Sequence, residues 1–289
     1  MILKEDFIID GKHQKPILID VTRLSGKENL PIIIFCHGYK GFKDWGAWHL
    51  MANTFAEAPF CFIKFNFSHN GGTKEQPIDF PDLEAFGNNN YTKELDDLES
   101  VINWIFENAH LKKAVNLNNI SLIGHSRAGG IVSIKAEENA RIKNVISLAG
   151  VCSFGKRTST TGDLEKWKRD GVKYVLNGRT KQQMPHYYQF YEDFINNENR
   201  LTIKRAISNL KIPHLIIHGN KDTSVLIEEA KNLHEWNSKS NLVIIEDANH
   251  VFNTKHPWEG NELPKQLKEV ILSCISFIKE PSVHDKKLD

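Results

Sequence analysis

Apolar residues in this chain fall into short continuous runs separated by helically spaced ones. Runs at 32–36, 60–67, 120–123, 145–148, 215–217 and 242–245 are nearly continuous rather than alternating. Strands covered on both faces, as in a parallel sheet, have this pattern. Ahead of them, 7–21 reads as two strands around a polar turn. Between the runs, Leu95, Leu98, Ile102, Ile105 and Phe106 recur at helical spacing behind Thr92, a candidate N-cap. Leu226, Ala230 and Leu233 mark a second helix, and Leu263, Leu267, Val270, Ile271, Cys274 and Ile278 a C-terminal one. Strand and helix alternate, which predicts an α/β chain with a mostly parallel central sheet and helices on both faces.

The stretch 151–209 breaks this alternation, because it is too long for an ordinary connection between two strands. Within it 163–169 and 186–195 have a helical pattern, and Tyr187, Phe190, Tyr191 and Phe194 would share one helical face. That face reads either as an aromatic wall for a substrate or, the simpler account, as a lid helix packed on the body. No repeat or low-complexity tract interrupts the rest, and the polar tail 281–289 is expected to fray.

The chemistry concentrates where the run 120–123 ends in Gly124-His125-Ser126-Arg127-Ala128-Gly129-Gly130. A strand that meets a helix through Gly-x-Ser-x-small makes a sharp turn with an exposed serine hydroxyl. The following helix N-terminus then directs backbone N–H groups at an oxyanion. A serine hydroxyl is a poor nucleophile at neutral pH and needs a base, itself oriented by an acid. Both candidates follow in order: Asp222 in the loop after the run 215–217, and His250 in the loop after 242–245. Asp247 competes with Asp222, and His218 and His256 compete with His250. An N-cap or turn role for Asp222, before Thr223 and Ser224, is the bland alternative. Arg127 places a cation at a helix N-terminus, against the macrodipole. It calls for a compensating carboxylate nearby, the favoured reading, or for an acidic substrate.

These stretches resemble the α/β-hydrolase superfamily, and within it the dienelactone-hydrolase-like and bacterial feruloyl (cinnamoyl) esterase group. Ile32-Ile33-Ile34-Phe35-Cys36-His37-Gly38-Tyr39 is similar to the strand and His-Gly turn that supply half of the family's oxyanion hole. Phe65-Asn66-Phe67-Ser68-His69-Asn70-Gly71 loosely resembles the family's Arg-Phe-Asp-Phe-Arg-Gly-His-Gly segment. The likeness spans roughly 30–280 with its motifs in order. Ala128 departs from it, standing where the family has glycine. The resemblance implies an α/β-hydrolase fold in one domain over 1–289, with 151–209 as an inserted cap. It implies a carboxylesterase with Ser126 as nucleophile, His250 as base, Asp222 as acid, and the backbone amides of Tyr39 and Arg127 as oxyanion hole. A peptidase of the acylaminoacyl or dipeptidyl kind, or a thioesterase, would use the same residues. A non-catalytic ligand-binding protein of the same fold is the alternative from another class.

Composition narrows the partners. The chain has 289 residues, with 37 basic and 36 acidic, so no charge excess points to nucleic acid. Cys36, Cys61, Cys152 and Cys274 form no Cys-x-x-Cys pair and read as free thiols in a reducing compartment. The N-terminus has no secretory pattern and no run approaches a membrane span, so a cytoplasmic protein acting on a small-molecule ester is expected. No cofactor is implied. His214 and His218 share a strand face without a third ligand at a telling spacing, so no metal is expected. No motif specifies an oligomeric state.

Overall fold

A computed structural model describes residues 1–280, and the tail 281–289 lies outside the described residues. The chain opens with an antiparallel hairpin, β1 (Ile2–Asp10) and β2 (Pro16–Leu24). It continues through β3 (Leu30–Cys36), α1 (Trp48–Glu57), β4 (Cys61–Asn66), α2 (Leu83–Gly87), α3 (Tyr91–Glu107) and α4 (Leu111–Ala114). β5 (Val115–His125), α5 (Arg127–Glu138) and β6 (Ile142–Leu148) follow. The stretch 151–209 holds α6 (Leu164–Asp170), the hairpin β7 (Val172–Leu176) and β8 (Gln183–Tyr187), then α7 (Gln189–Asn196), α8 (Glu198–Leu201) and α9 (Ile203–Asn209). β9 (His214–Gly219), α10 (Ile227–Trp236), β10 (Asn241–Ile245) and α11 (Lys265–Lys279) complete it.

Eight strands form one sheet in the order β1-β2-β4-β3-β5-β6-β9-β10. β2 is antiparallel to both neighbours, and every pair from β4 to β10 is parallel. The continuous apolar runs are explained by helices on both faces. Leu95, Leu98 and Ile102 of α3 and Ile131 and Ile134 of α5 cover one face, and Met51, Phe55, Val270, Ile271 and Cys274 of α1 and α11 cover the other. Each such side chain contributes about 1.5–3 kcal/mol by leaving water. The cation that interrupts the run in β4, Lys64, is buried but ion-paired with Asp20 and Asp44, as a charge in that position must be.

Three local expectations differ from the structure. The N-cap of α3 is Asn90 rather than Thr92, because the Asn90 side chain accepts the Lys93 N–H at 2.9 Å. The helical pattern at 186–195 begins later, at Gln189, because His186 and Tyr187 are strand residues paired with Lys173 and Val172. Their periodicity was a continuation of the helix pattern by chance. β5 starts at Val115, five residues before the apolar run, since its first residues pair with Leu30 and Pro31 across a register shift. Phe190 and Phe194 pack on Tyr91, with ring centroids 4.8 and 6.2 Å away, so this part of that face is covered by α3. The four cysteines are buried and free. No described helix is long and apolar enough to cross a membrane.

Parallel strands run their carboxyl ends to one edge of the sheet, where open α/β sheets build their sites. The loops after β3, β5, β9 and β10 all leave from that edge, and they carry His37 to Gly41, Ser126, Asp222 and His250 respectively.

Candidate active site

Ser126 occupies the turn between β5 and α5 with φ 59° and ψ −120°. This left-handed conformation strains a non-glycine residue, and such strain concentrates at functional turns. It is held by three backbone bonds. The Ser126 N–H donates to Leu148 O at 2.9 Å, and its carbonyl accepts from Gly129 at 2.9 Å and Val151 at 3.2 Å. A Cβ at Gly124 would lie 2.2 Å from the Ala128 carbonyl oxygen, so the turn admits only glycine there. Ala128 is fully buried in the crowded turn without displacing it. Gly124→Ala is therefore expected to cost about 3 kcal/mol, at the upper end for overpacking, read as a lower midpoint in urea denaturation. An unchanged midpoint would contradict the close approach.

His250 bridges the serine and the acid. Its Nε2 lies 2.9 Å from Ser126 Oγ, and its Nδ1 lies 2.7 Å from Asp222 Oδ2. The two oxygens of Asp222 do different work. Oδ1 accepts the N–H groups of Ser224 at 2.8 Å and Val225 at 2.9 Å, so the residue also holds the turn. Oδ2 faces His250 and also lies 3.3 Å from His218 Nε2. Burial raises the Asp222 pKa, but the hydrogen bonds from His218 and His250 outweigh it and hold the carboxyl well below its usual range. Asp247 is exposed and its backbone N–H bonds Asn220. His218 packs behind the acid and His256 Nδ1 accepts from Gly46 N at 2.9 Å, so neither competitor reaches Ser126.

The Tyr39 and Arg127 amides flank the serine from β3 and α5, and among the described residues neither donates to a protein acceptor. Gly38 brings the first loop in: a Cβ on it would stand 2.9 Å from Ser126 Cβ. His37 shapes that loop. Its Nδ1 donates to Gly38 O at 3.0 Å and its Nε2 accepts from Phe67 N at 3.3 Å, while burial lowers its pKa to about 4, so the ring is neutral. The Arg127 side chain is engaged with α3. Its guanidinium pairs with buried Glu94 at 3.0 Å and lies 4.3 Å from the Tyr39 ring centre. The compensating carboxylate that the sequence called for is therefore present, one turn into α3.

Ser126 and His250 open into a cavity of about 140 Å³ walled by Tyr39, Trp45, Trp48 and Val251, with Lys40 at its side. A cavity of about 150 Å³ accommodates benzene, so this one suits a short or single-ring group. His125, also lining it, donates from Nε2 to the His250 carbonyl at 2.8 Å and anchors the histidine loop. Burial, then the neighbouring His250 charge, lowers the His125 pKa to about 3. No motif in the sequence marks Lys40, Trp45, Trp48 and His125 as lining residues. The available signal was proximity: three follow His37 within the next eleven residues and the fourth adjoins Ser126. Among the described residues no cluster of His, Cys, Asp and Glu is arranged to hold a metal. His214 instead meets Ser147 Oγ at 3.1 Å.

Comparison with known proteins gives a consistent picture. A family model described as alpha/beta hydrolase fold matches residues 31–183. An uncharacterized 31.7 kDa protein from the traX-finO intergenic region of Escherichia coli is 29% identical over 274 residues, covering 83% of this chain and 90% of its own length. Among solved structures, Est1E from Butyrivibrio proteoclasticus with ferulic acid bound has a TM-score of 0.71 at 18% identity, over 94% of this chain and 97% of that one. A dienelactone hydrolase from Anabaena variabilis has a TM-score of 0.61 at 16% identity, over 95% and 96%. At these identities the structural likeness speaks for the fold.

Proposed function

Because the chain belongs to the alpha/beta hydrolase fold family, we propose that it is a serine carboxylesterase that cleaves small or aromatic acyl esters through an acyl-enzyme. The observation that carries the proposal is the continuous relay from Ser126 Oγ through both nitrogens of His250 to Asp222, with links of 2.9 and 2.7 Å. Ser126 Oγ attacks the ester carbonyl as His250 Nε2 takes its proton. The resulting oxyanion rests on the unengaged amides of Tyr39 and Arg127, which cost no reorganisation because the turn and the His37 loop already hold them. His250 then gives its proton to the departing alkoxide. In the second half it takes a proton from water, whose oxygen attacks the acyl carbon; the bond to Ser126 Oγ then breaks, His250 returns the proton to that oxygen, and the acid is freed. Asp222 keeps the Nδ1–H tautomer throughout and stabilises the imidazolium.

The size of the cavity and its Trp45, Trp48 and Tyr39 walls support a short or single-ring acyl group. Ferulic acid, an aromatic acid, is the ligand bound to the structurally similar Est1E. The stretch 151–209 serves as a cap over this cleft: His186 of β8 meets the Tyr39 hydroxyl at 2.9 Å, next to a proposed oxyanion donor. His186→Phe is expected to shift the ratio of kcat/KM between small and aromatic esters by about tenfold. An ester panel with unchanged ratios would remove the cap from substrate choice.

The direct test is reaction with a fluorophosphonate followed by peptide mass mapping. Labelling confined to Ser126 and absent from Ser126→Ala supports the relay. Folded wild-type protein that resists the probe and turns over no ester would overturn it.

A further inference from the structure

We propose that Lys40 is a specificity-determining residue whose ammonium holds a carboxylate carried by the ester in the cleft. The inference rests on the ester hydrolysis proposed above and names the substrate class of that same site.

Several independent observations meet at Lys40. It lines the same cavity as Ser126 and His250, and no carboxylate is among the lining residues. It forms no ion pair among the described residues. Its ammonium has one weak hydrogen bond, to the Leu176 carbonyl at 3.5 Å, and lies 5.0 Å from the Tyr39 ring centre. Its backbone is left-handed, with φ 55°, a conformation that glycine adopts freely and a lysine only with strain. Such strain clusters at functional sites.

The contrast with Lys43, three residues on, makes the missing counter-charge explicit. Burial lowers the Lys43 pKa, but Asp20 and Asp44 outweigh that and raise it. At Lys40, burial and the charge of Arg127 both act to lower it. Arg127 has its own partner in Glu94. Beside the cleft, next to the Tyr39 ring that walls it together with Trp45 and Trp48, there thus stands one half-buried cation without an anion. A carboxylate entering there would gain a charge-assisted hydrogen bond, and the walls would take the body of the molecule.

Matched ester pairs test this and locate the carboxylate. Monomethyl terephthalate against methyl benzoate places it on the acyl side, and 4-acetoxybenzoate against phenyl acetate places it on the leaving group. In at least one pair the anionic member should have a kcat/KM about tenfold or more above the neutral one, mainly through KM. The advantage should shrink as salt is raised. Lys40→Gln should bring that ratio close to one, and Lys40→Arg should keep most of it, a rescue that a merely structural lysine would not show as a change in the ratio. Calorimetry of the same four esters with Ser126→Ala, and with Ser126→Ala carrying Lys40→Gln, gives the same comparison without turnover. Lys40-dependent binding of an anionic member supports the inference even if no ester is hydrolysed, in which case the esterase reading alone falls. Ser126-dependent hydrolysis of neutral esters with ratios near one in both pairs leaves the esterase reading intact and overturns the role of Lys40, as does an anionic advantage that survives Lys40→Gln.

Discussion

Ser126→Ala is expected to lower kcat toward carboxylic esters by at least about 10⁴-fold while leaving the thermal midpoint close to that of the wild type. The two halves of this expectation have separate causes. The hydroxyl supplies the bond to the acyl carbon, and no neighbouring group can replace it. His125, which also lines the cavity, already donates to the His250 carbonyl at 2.8 Å. The backbone of the elbow is held by the bonds of residue 126 to Leu148, Gly129 and Val151, and alanine keeps all of them. The residual rate should still exceed that in water, because the amides of Tyr39 and Arg127 and the cavity walls remain. A variant that turns over esters at the wild-type rate would require a different nucleophile and end the proposed mechanism.

The elbow was legible in the sequence because its steric demands are local. Gly124, Ser126 and Ala128 must meet within one turn, so the constraint appears as a contiguous motif. The acid was less so. Asp222 and Asp247 both follow apolar strands, and what separates them is which carboxylate folding brings to His250 Nδ1, a tertiary contact that spacing along the chain does not encode. The partner of Arg127 was hidden for a similar reason, since Glu94 lies 33 residues earlier on another element. A signal existed nonetheless: Glu94 shares the buried face of α3 with Tyr91, Leu95 and Leu98, where a carboxylate needs a cation. The cleft walls were legible only as neighbours of His37 in the chain, because Gly38 must first fold the loop after β3 against the elbow before Lys40, Trp45 and Trp48 line one cavity with the serine. Helix periodicity also misled at His186 and Tyr187, where two strand residues happened to extend the pattern of α7.

Asp222→Asn should lower kcat by about 10⁴-fold, whereas Asp247→Asn should stay within about twofold of the wild type, since Asp247 is exposed and does not reach His250. The reason for the first lies in how the loop fixes the side chain. Oδ1 of residue 222 accepts two backbone N–H groups, from Ser224 and Val225, and only an oxygen can occupy that position without placing donor against donor. An asparagine must therefore direct its carbonyl oxygen at those amides and its NH₂ group at His250 Nδ1. That nitrogen then has to accept rather than donate, which moves the imidazole proton to Nε2, facing Ser126 Oγ. The histidine would hold its position and lose its capacity to take the serine proton. Because the amide still satisfies the turn, the stability loss should be small beside the loss of rate. Rate measurements and denaturation on the two variants decide the matter: a large rate loss in Asp247→Asn with little in Asp222→Asn would move the acid to the other loop, and equal losses in rate and stability would reduce Asp222 to its turn.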